Sequence, residues 1–294
     1  REVITALPSR MLDGYGFSPA ALQRHFPQKK PDLIITADCG ISDVAAIQQA
    51  VRRGADVIVT DHHVASAMPA DACASLNPQV SGPDSLKMLA GVGVAFKLCH
   101  ALVKFARQKG MQLAHNFDLT QYLDWVALGT LGDVVPLHGE NRIFVKRGLA
   151  ELNRAPRPGI NALLKQIGAR RPVSSETAGF GLIPALNAMG RVASPEPALN
   201  LLLTECEHQA AILASELHQA NLQRKRLESD VLHEARQQAM EYFDPKTTFA
   251  IVVAGHDWPI GVLGIVASRL TARFAMPAVV ISWDAAGHGR GSAR

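Results

Sequence analysis

Asp38, Asp61, His62, His63 and Asp133 are the residues of this 294-residue chain whose types and spacing suit chemistry. Asp38 follows the apolar run Asp32–Ala37 in an Asp-Cys-Gly triplet, and Asp61-His62-His63 follows the run Val57–Val59. Asp133 closes Leu-Gly-Thr-Leu-Gly-Asp at residues 128–133 and is followed by Val134-Val135-Pro136. Carboxylates gathered with imidazoles suit a hard-to-borderline divalent cation, Mg²⁺ or Mn²⁺. Two such ions about 3.5–4 Å apart clamp a phosphoryl group and generate hydroxide for in-line attack. A plainer reading has Asp38 and Asp61 capping the helices that follow them, with the histidines as polar loop residues.

The elements that must position these residues can be read from the same stretch. Between the two apolar runs, Asp43–Arg53 places Val44, Ile47, Ala50 and Val51 at helical spacing, and Gly54 stops it. Strand, helix and strand in about 30 residues make a βαβ unit with parallel strands. Ligands of such sheets gather beyond the carboxyl ends of the strands, where Asp38 and Asp61-His62-His63 fall. A Gly-rich helix start follows at Leu89–Val94, its helix running to about Arg107, and a further helix spans roughly 119–129. The glycines of Leu89–Val94 either aim helix amides at a phosphate or let the helix pack closely on the sheet. Residues 153–171, rich in Pro, Gly and Arg, mark a transition. From Ala198 to Asp244 there is neither Gly nor Pro, which predicts one long helix whose apolar seam (Leu213, Leu217, Ala220, Leu227, Val231) Arg224 interrupts. A second α/β unit then opens with a strand at Phe249–Ala254, a helix at Gly261–Arg273 and a strand at Ala278–Ser282.

Apolar residues at 48% and charged residues at 19% exclude disorder, and no apolar run approaches a membrane span. Cys39, Cys73, Cys99 and Cys206 form no C-x-x-C pair, so neither a zinc knuckle nor a disulfide scaffold is expected, and a reducing cytoplasm fits. A net charge of +4 permits a polyanionic partner, while 5% aromatics argue against a base-stacking platform within these residues. The pairs Lys29-Lys30, Arg52-Arg53 and Arg170-Arg171 read as solvated faces, as does the triplet Arg224-Lys225-Arg226 unless its helix borders a channel. His115, His138, His218 and His233 have no partner in the pattern and read as surface residues. The ends, Arg1 and Gly287–Arg294, read as cuts in a longer protein.

Asp-Cys-Gly, Asp-His-His and L-G-T-x-x-D-V-V-P together resemble the DHH phosphoesterase superfamily, and within it the bacterial RecJ family of single-stranded-DNA exonucleases. Pro8-Ser9-Arg10 with Asp13–Gly16, Leu89–Val94, Leu186–Arg191, Gly261–Arg269 and Gly287–Arg290 extend the resemblance through nearly the whole chain. It implies an α/β fold: a parallel-sheet DHH domain at 1–152, a connecting helical region with the long helix at 153–244, and the start of a smaller DHHA1-like α/β domain at 245–294. By the same resemblance Asp38, His62 and Asp133 are similar to metal ligands of a two-metal Mn²⁺ or Mg²⁺ centre. His63 resembles the catalytic histidine beside the scissile phosphate, and Asp61 a catalytic-site residue that orients its neighbours. Arg10, Arg191 and Arg290 are similar to residues that hold nucleic-acid phosphates, and arginine there supplies a bidentate fork that lysine lacks.

The implied activity is metal-assisted 5′→3′ hydrolysis of single-stranded DNA in repair and recombination. The implied partners are single-stranded DNA, a single-strand-binding protein and a helicase, around a monomer with no membrane association. Three departures stand beside this. The family's Asp-x-Asp-Ala-Asp-Gly strand end precedes the residues similar to Arg1–Gly16 and is not in this chain. Three ligands fall short of the ten or so sites that two six-coordinate ions require, so the chain as given is expected to bind metal poorly and to be inactive. Ala185 stands where the family usually has Arg, and Pro259 follows Trp258 where it usually has His. Two other readings stay open: a DHH relative that cleaves short oligonucleotides, cyclic dinucleotides or pyrophosphate, and a non-catalytic single-strand-binding relative.

Overall fold

The computed structural model describes residues 2–8, 13, 16–28, 30–154 and 157–294. Packing divides the chain into two units, residues 1–183 and 184–294. The first holds a three-stranded parallel sheet in the order β1-β2-β3: β1 (Leu33–Ala37), β2 (Asp56–Thr60) and β3 (Ala74–Leu76). Its longer helices are α1 (Pro19–His25), α2 (Val44–Arg52), α3 (Gly91–Gln108), α4 (Leu123–Gly132), α5 (Gly139–Arg154) and α6 (Pro158–Gln166). The βαβ reading holds: β1, α2 and β2 follow each other, and the consecutive Ile and Val residues of both strands suit a pleated sheet.

Register is what places the site. Leu33 pairs with Asp56 and Ala37 with Thr60, so β1 and β2 end level with each other. The ladder continues one step past both strands, with Asp38 N–H donating to Thr60 O at 2.9 Å and Asp61 N–H to Leu76 O at 3.0 Å. Behind the sheet, Ile47 and Ala50 of α2 pack with Leu22 of α1 and with Val57 and Val59 of β2. Each fully buried Leu or Ile of this kind contributes about 1.5–3 kcal/mol. On the other side of the site, α3, α4 and α5 meet through Leu89, Val94, Leu123, Val126 and Phe144.

The second unit carries α7 (Ile183–Val192), α8 (Glu196–Leu203), α9 (Glu207–Tyr242) and α10 (Ile260–Phe274). Its sheet is β4 (Ile251–His256), β5 (Ala278–Trp283) and β6 (Gly289–Ala293), with β4 parallel and β6 antiparallel to β5. Val262, Val266 and Leu270 of α10 pack against Ile251, Val253 and Val280 and against Val231 and Ala235 of α9.

Two expectations are corrected here. The helix expected from Ala198 is two helices, because Thr204 leaves helical geometry (φ −67°, ψ 136°). Its hydroxyl accepts from Cys206 N–H and lies 3.0 Å from Gln209 Oε1, ending one helix and starting the next with no Gly or Pro. Arg224 is not solvated but buried in the seam. Its guanidinium donates to Asn221 Oδ1 at 2.9 and 3.2 Å and pairs with Glu228 at 2.6 Å, and Glu228 in turn pairs with Arg269 of α10 at 2.5 Å. Residues 289–293, glycine-rich, form the strand β6.

α4 and α5 approach most closely at Gly148, where a methyl would lie 2.5 Å from Ala127 Cβ and against the Leu123 carbonyl. Helix propensity favours Ala over Gly by about 0.8–1 kcal/mol, whereas overpacking costs about 1–3 kcal/mol. Gly148→Ala is therefore expected to lower stability in urea denaturation by about 1–2 kcal/mol. A stability gain would show that the two helices do not touch there.

Candidate metal and phosphoester site

Asp38 stands in the left-handed region at φ 62°, a conformation that costs an ordinary residue about 1–2 kcal/mol. The turn is held from both strands. Thr36 Oγ1 donates to Cys39 O at 2.8 Å, and Thr60 Oγ1 donates to Thr36 O at 2.7 Å. Gly40, at φ +108°, completes the bend where a Cβ would lie 2.6 Å from Thr36 Oγ1.

Asp61 is buried to 1% exposure yet fully partnered. Its Oδ2 accepts from Ile41 N–H at 3.0 Å, and its Oδ1 from His62 N–H at 2.7 Å and His63 N–H at 3.2 Å, with His63 Nδ1 also at 2.7 Å. Burial pushes the carboxyl's pKa up, but these hydrogen bonds outweigh it and leave the pKa below the usual carboxylate value. With Nδ1 of His63 bonded to Asp61, Nε2 is the nitrogen of that ring left to face a ligand.

His62 Nε2 lies 3.1 Å from Asp38 Oδ1 and 3.4 Å from Asp133 Oδ2. The atom is buried and neither contact has good hydrogen-bond angles, though Asp38 at 3.1 Å is close enough to act on it as a hydrogen-bonding partner. Contact with the Asp38 carboxylate raises the pKa of His62 against the opposing effect of burial, and Asp133 adds to it. Asp133 caps the carboxyl end of α4, where the helix dipole disfavours an anion by about 0.3–1 kcal/mol. Burial raises its pKa, the Asp38 charge adds to that, and the imidazole of His62 opposes it. Cys39 beside them is no nucleophile: burial foremost, then the charges of Asp43, Asp61 and Asp38, push its thiol up to about 12.

Ligand atoms of Asp38, His62 and His63 lie within 4.8 Å of one another, and Asp133 joins them through His62. Two anions converging on one poorly satisfied imidazole nitrogen, one of them held in strained backbone and the other at the wrong end of a helix, fit a divalent cation. Neither Asp38 nor Asp61 caps a helix: α2 begins after Asp43, and the short helix Pro78–Ser81 is capped by Asn77. Asn77 was not singled out from sequence. Its Nδ2 donates to His63 O at 2.9 Å while its Oδ1 accepts from Gln79 N–H, and the Asn-Pro dipeptide was the available signal.

Of the arginines, Arg10 lies outside the described residues. Arg191 and Arg290 belong to the second unit. Arg191 Nη1 donates to Gly261 O at 3.1 Å, and Arg290 is exposed on β6 opposite Ser282. Ala185 is fully buried in α7, and Trp258, next to Pro259, is buried with its Nε1 donating to Glu234 at 2.8 Å.

Residues 2–130 match the family model described as DHH family, N-terminal domain. The single-stranded-DNA-specific exonuclease RecJ of Bacillus subtilis is 40% identical over 98% of this chain, and that of Dickeya dadantii is 40% identical over all of it. A crystal structure of exonuclease RecJ bound to manganese superposes with a TM-score of 0.80 at 33% identity, over 98% of this chain and 68% of that one. A structure of Thermus thermophilus RecJ with Mn²⁺ gives 0.75 at 33% identity, over 89% of this chain and 37% of that one. The sheet is thus that of a DHH-family domain, and the chain belongs to the RecJ family. It spans 35% of the Bacillus relative and 52% of the Dickeya relative.

In Asp61→Asn the amide cannot accept on both sides, so at least one buried N–H is left unpaired at a cost of about 1–3 kcal/mol. Because the folded pKa of Asp61 is depressed, its stabilisation is fully present above the unfolded value near 3.9 and is lost as pH falls through the lower folded value. Urea denaturation is expected to show the variant less stable at pH 7 and the difference shrinking toward pH 3. Equal stability at pH 7 would contradict the bonding described.

Proposed function

We propose that the protein of which this chain is part is a 5′→3′ exonuclease on single-stranded DNA, dependent on Mn²⁺ or Mg²⁺ and working in repair and recombination. The observation that carries this reading is the convergence of Asp38 and Asp133 on the buried, poorly satisfied Nε2 of His62. The names of its relatives, single-stranded-DNA-specific exonucleases, and the Mn²⁺ and Mg²⁺ in their structures agree with it.

In this reading Asp38, His62 and Asp133 hold the cations, which supply Lewis acidity and a hydroxide nucleophile when bound. His63, with Nδ1 committed to Asp61, presents Nε2 toward the scissile phosphate and handles a proton or a developing charge there. Asp61 holds the backbone and ring of that histidine. Arg10, Arg191 and Arg290 grip phosphates along the strand, which makes binding fall with salt. A cytoplasmic monomer working with a single-strand-binding protein and a helicase accords with this function. No helix of the described residues is long and apolar enough to cross a membrane. The domain limits 1–152, 153–244 and 245–294 are part of the same proposal, as is the inactivity of the 294-residue stretch alone.

The test uses the full-length protein with 5′-phosphorylated single strands. Mn²⁺ is expected to permit shortening from the 5′ end with release of mononucleotides, a chelator to abolish it, and Asp61→Asn to slow it by about 10–100-fold. Turnover of dinucleotides but not of long strands, or strand binding without cleavage, would overturn the assignment.

A further inference from the structure

We propose that Gly91 is a positioning residue for the cation site: the missing side chain leaves the space in which the Asp38 carboxylate stands. The metal arm of this proposal rests on Asp38 being a ligand, as read above. α3 begins at Gly91, whose neighbours Leu89 and Ala90 are buried. A Cβ at position 91 would lie 2.6 Å from Asp38 Cγ and 2.7 Å from Asp38 Cβ, and nearer still to Oδ1. Rotating χ1 of Asp38 clears its carboxylate from such a methyl but leaves the Cβ contact, so backbone must move.

Neither backbone has slack. Asp38 is pinned in the left-handed region with its N–H on Thr60 O, at the end of the β1–β2 ladder. The start of α3 is anchored by Leu89 and Val94 among Leu123, Val126 and Phe144. A side chain at 91 therefore drives Asp38 away from His62 Nε2 and opens the 3.1 Å approach on which the site is built. Gly93, one position beyond Val92, is different. A Cβ there would meet Leu89 Cδ2 at 3.4 Å and Phe144 Cε2 at 3.7 Å, which is ordinary packing. The two glycines of this helix start thus have separate duties, and only Gly91 reaches the site.

The experiment compares full-length wild type, Gly91→Ala, Gly93→Ala, Asp38→Gly and the double variant Asp38→Gly/Gly91→Ala. Mn²⁺ alone is titrated by calorimetry, with free ion followed by electron paramagnetic resonance, and the metal-free proteins are melted. Gly91→Ala is expected to weaken Mn²⁺ binding at least tenfold and Gly93→Ala by less than twofold. Metal-free Gly91→Ala should melt several degrees below wild type, while the same change in the Asp38→Gly background should shift melting by about a degree or less, since the opposing side chain is gone. Mn²⁺ affinity of Gly91→Ala within twofold of wild type, or an equal melting loss in both backgrounds, overturns the proposal. Should Gly91→Ala fail to fold, the double variant must fold as Asp38→Gly does, and its failure to do so overturns the contact. A wild type that binds no Mn²⁺ sinks the metal-dependent reading instead, and the melting cycle then decides on Gly91 by itself.

Discussion

A carboxylate at 1% exposure must either lose its charge or be given hydrogen bonds on every side, and Asp61 is given them. Ile41, the backbone of His62 and His63, and the ring of His63 all converge on it. These partners come from the turn after β1 and the turn after β2, so one buried anion ties together the two segments that carry the metal-binding candidates. Its depressed pKa follows from that bonding and keeps the anion charged when the site has to be intact. The rest depends on it: the tautomer of His63, the path of the chain into His62, and the approach of His62 to Asp38.

Around this anchor the local choices run against ordinary stability. Asp38 occupies a conformation that glycine prefers, Asp133 puts a negative charge at the carboxyl end of a helix, and His62 Nε2 is buried without a well-angled hydrogen bond. Any one of these is tolerable as local strain. Together, within 3.4 Å of a single atom, they describe a place where two carboxylates face one imidazole, an arrangement that suits a bound cation. The surrounding framework carries this cost through conventional means, with the level ends of two parallel strands and well-filled helix contacts behind them.

Much of this was legible in the residues, because the decisive signals are local. Ile34-Ile35 and Val57–Val59 announce two strands, the helical spacing of Ile47, Ala50 and Val51 announces the crossover, and the polar triplets stand where such sheets bind ligands. What was not legible depends on distant partners or on side-chain bonds that leave no mark in the pattern. β3 is three residues long with no alternation of its own and exists because Cys73–Leu76 lies beside β2. Arg224 looks like a surface charge until Asn221 and Glu228 of its own helix bond it, with Arg269 of α10 holding Glu228. The helix break at Thr204 is made by a hydroxyl that bonds backbone two residues on, a feature many helical threonines lack. The strand at Gly289–Ala293 is glycine-rich and is defined by β5, against which it pairs.

The central claim is that Asp38, His62 and Asp133 form one cation site anchored by Asp61. Its most direct measurement is a Mn²⁺ anomalous-difference map from crystals of the full-length protein. The account predicts a manganese peak bonded to a carboxylate oxygen of Asp38, to His62 Nε2 and to Asp133, with Asp61 still bonded to backbone and uncoordinated. Manganese bound elsewhere, or His62 Nε2 hydrogen-bonded to protein while Mn²⁺ saturates the protein, would contradict it.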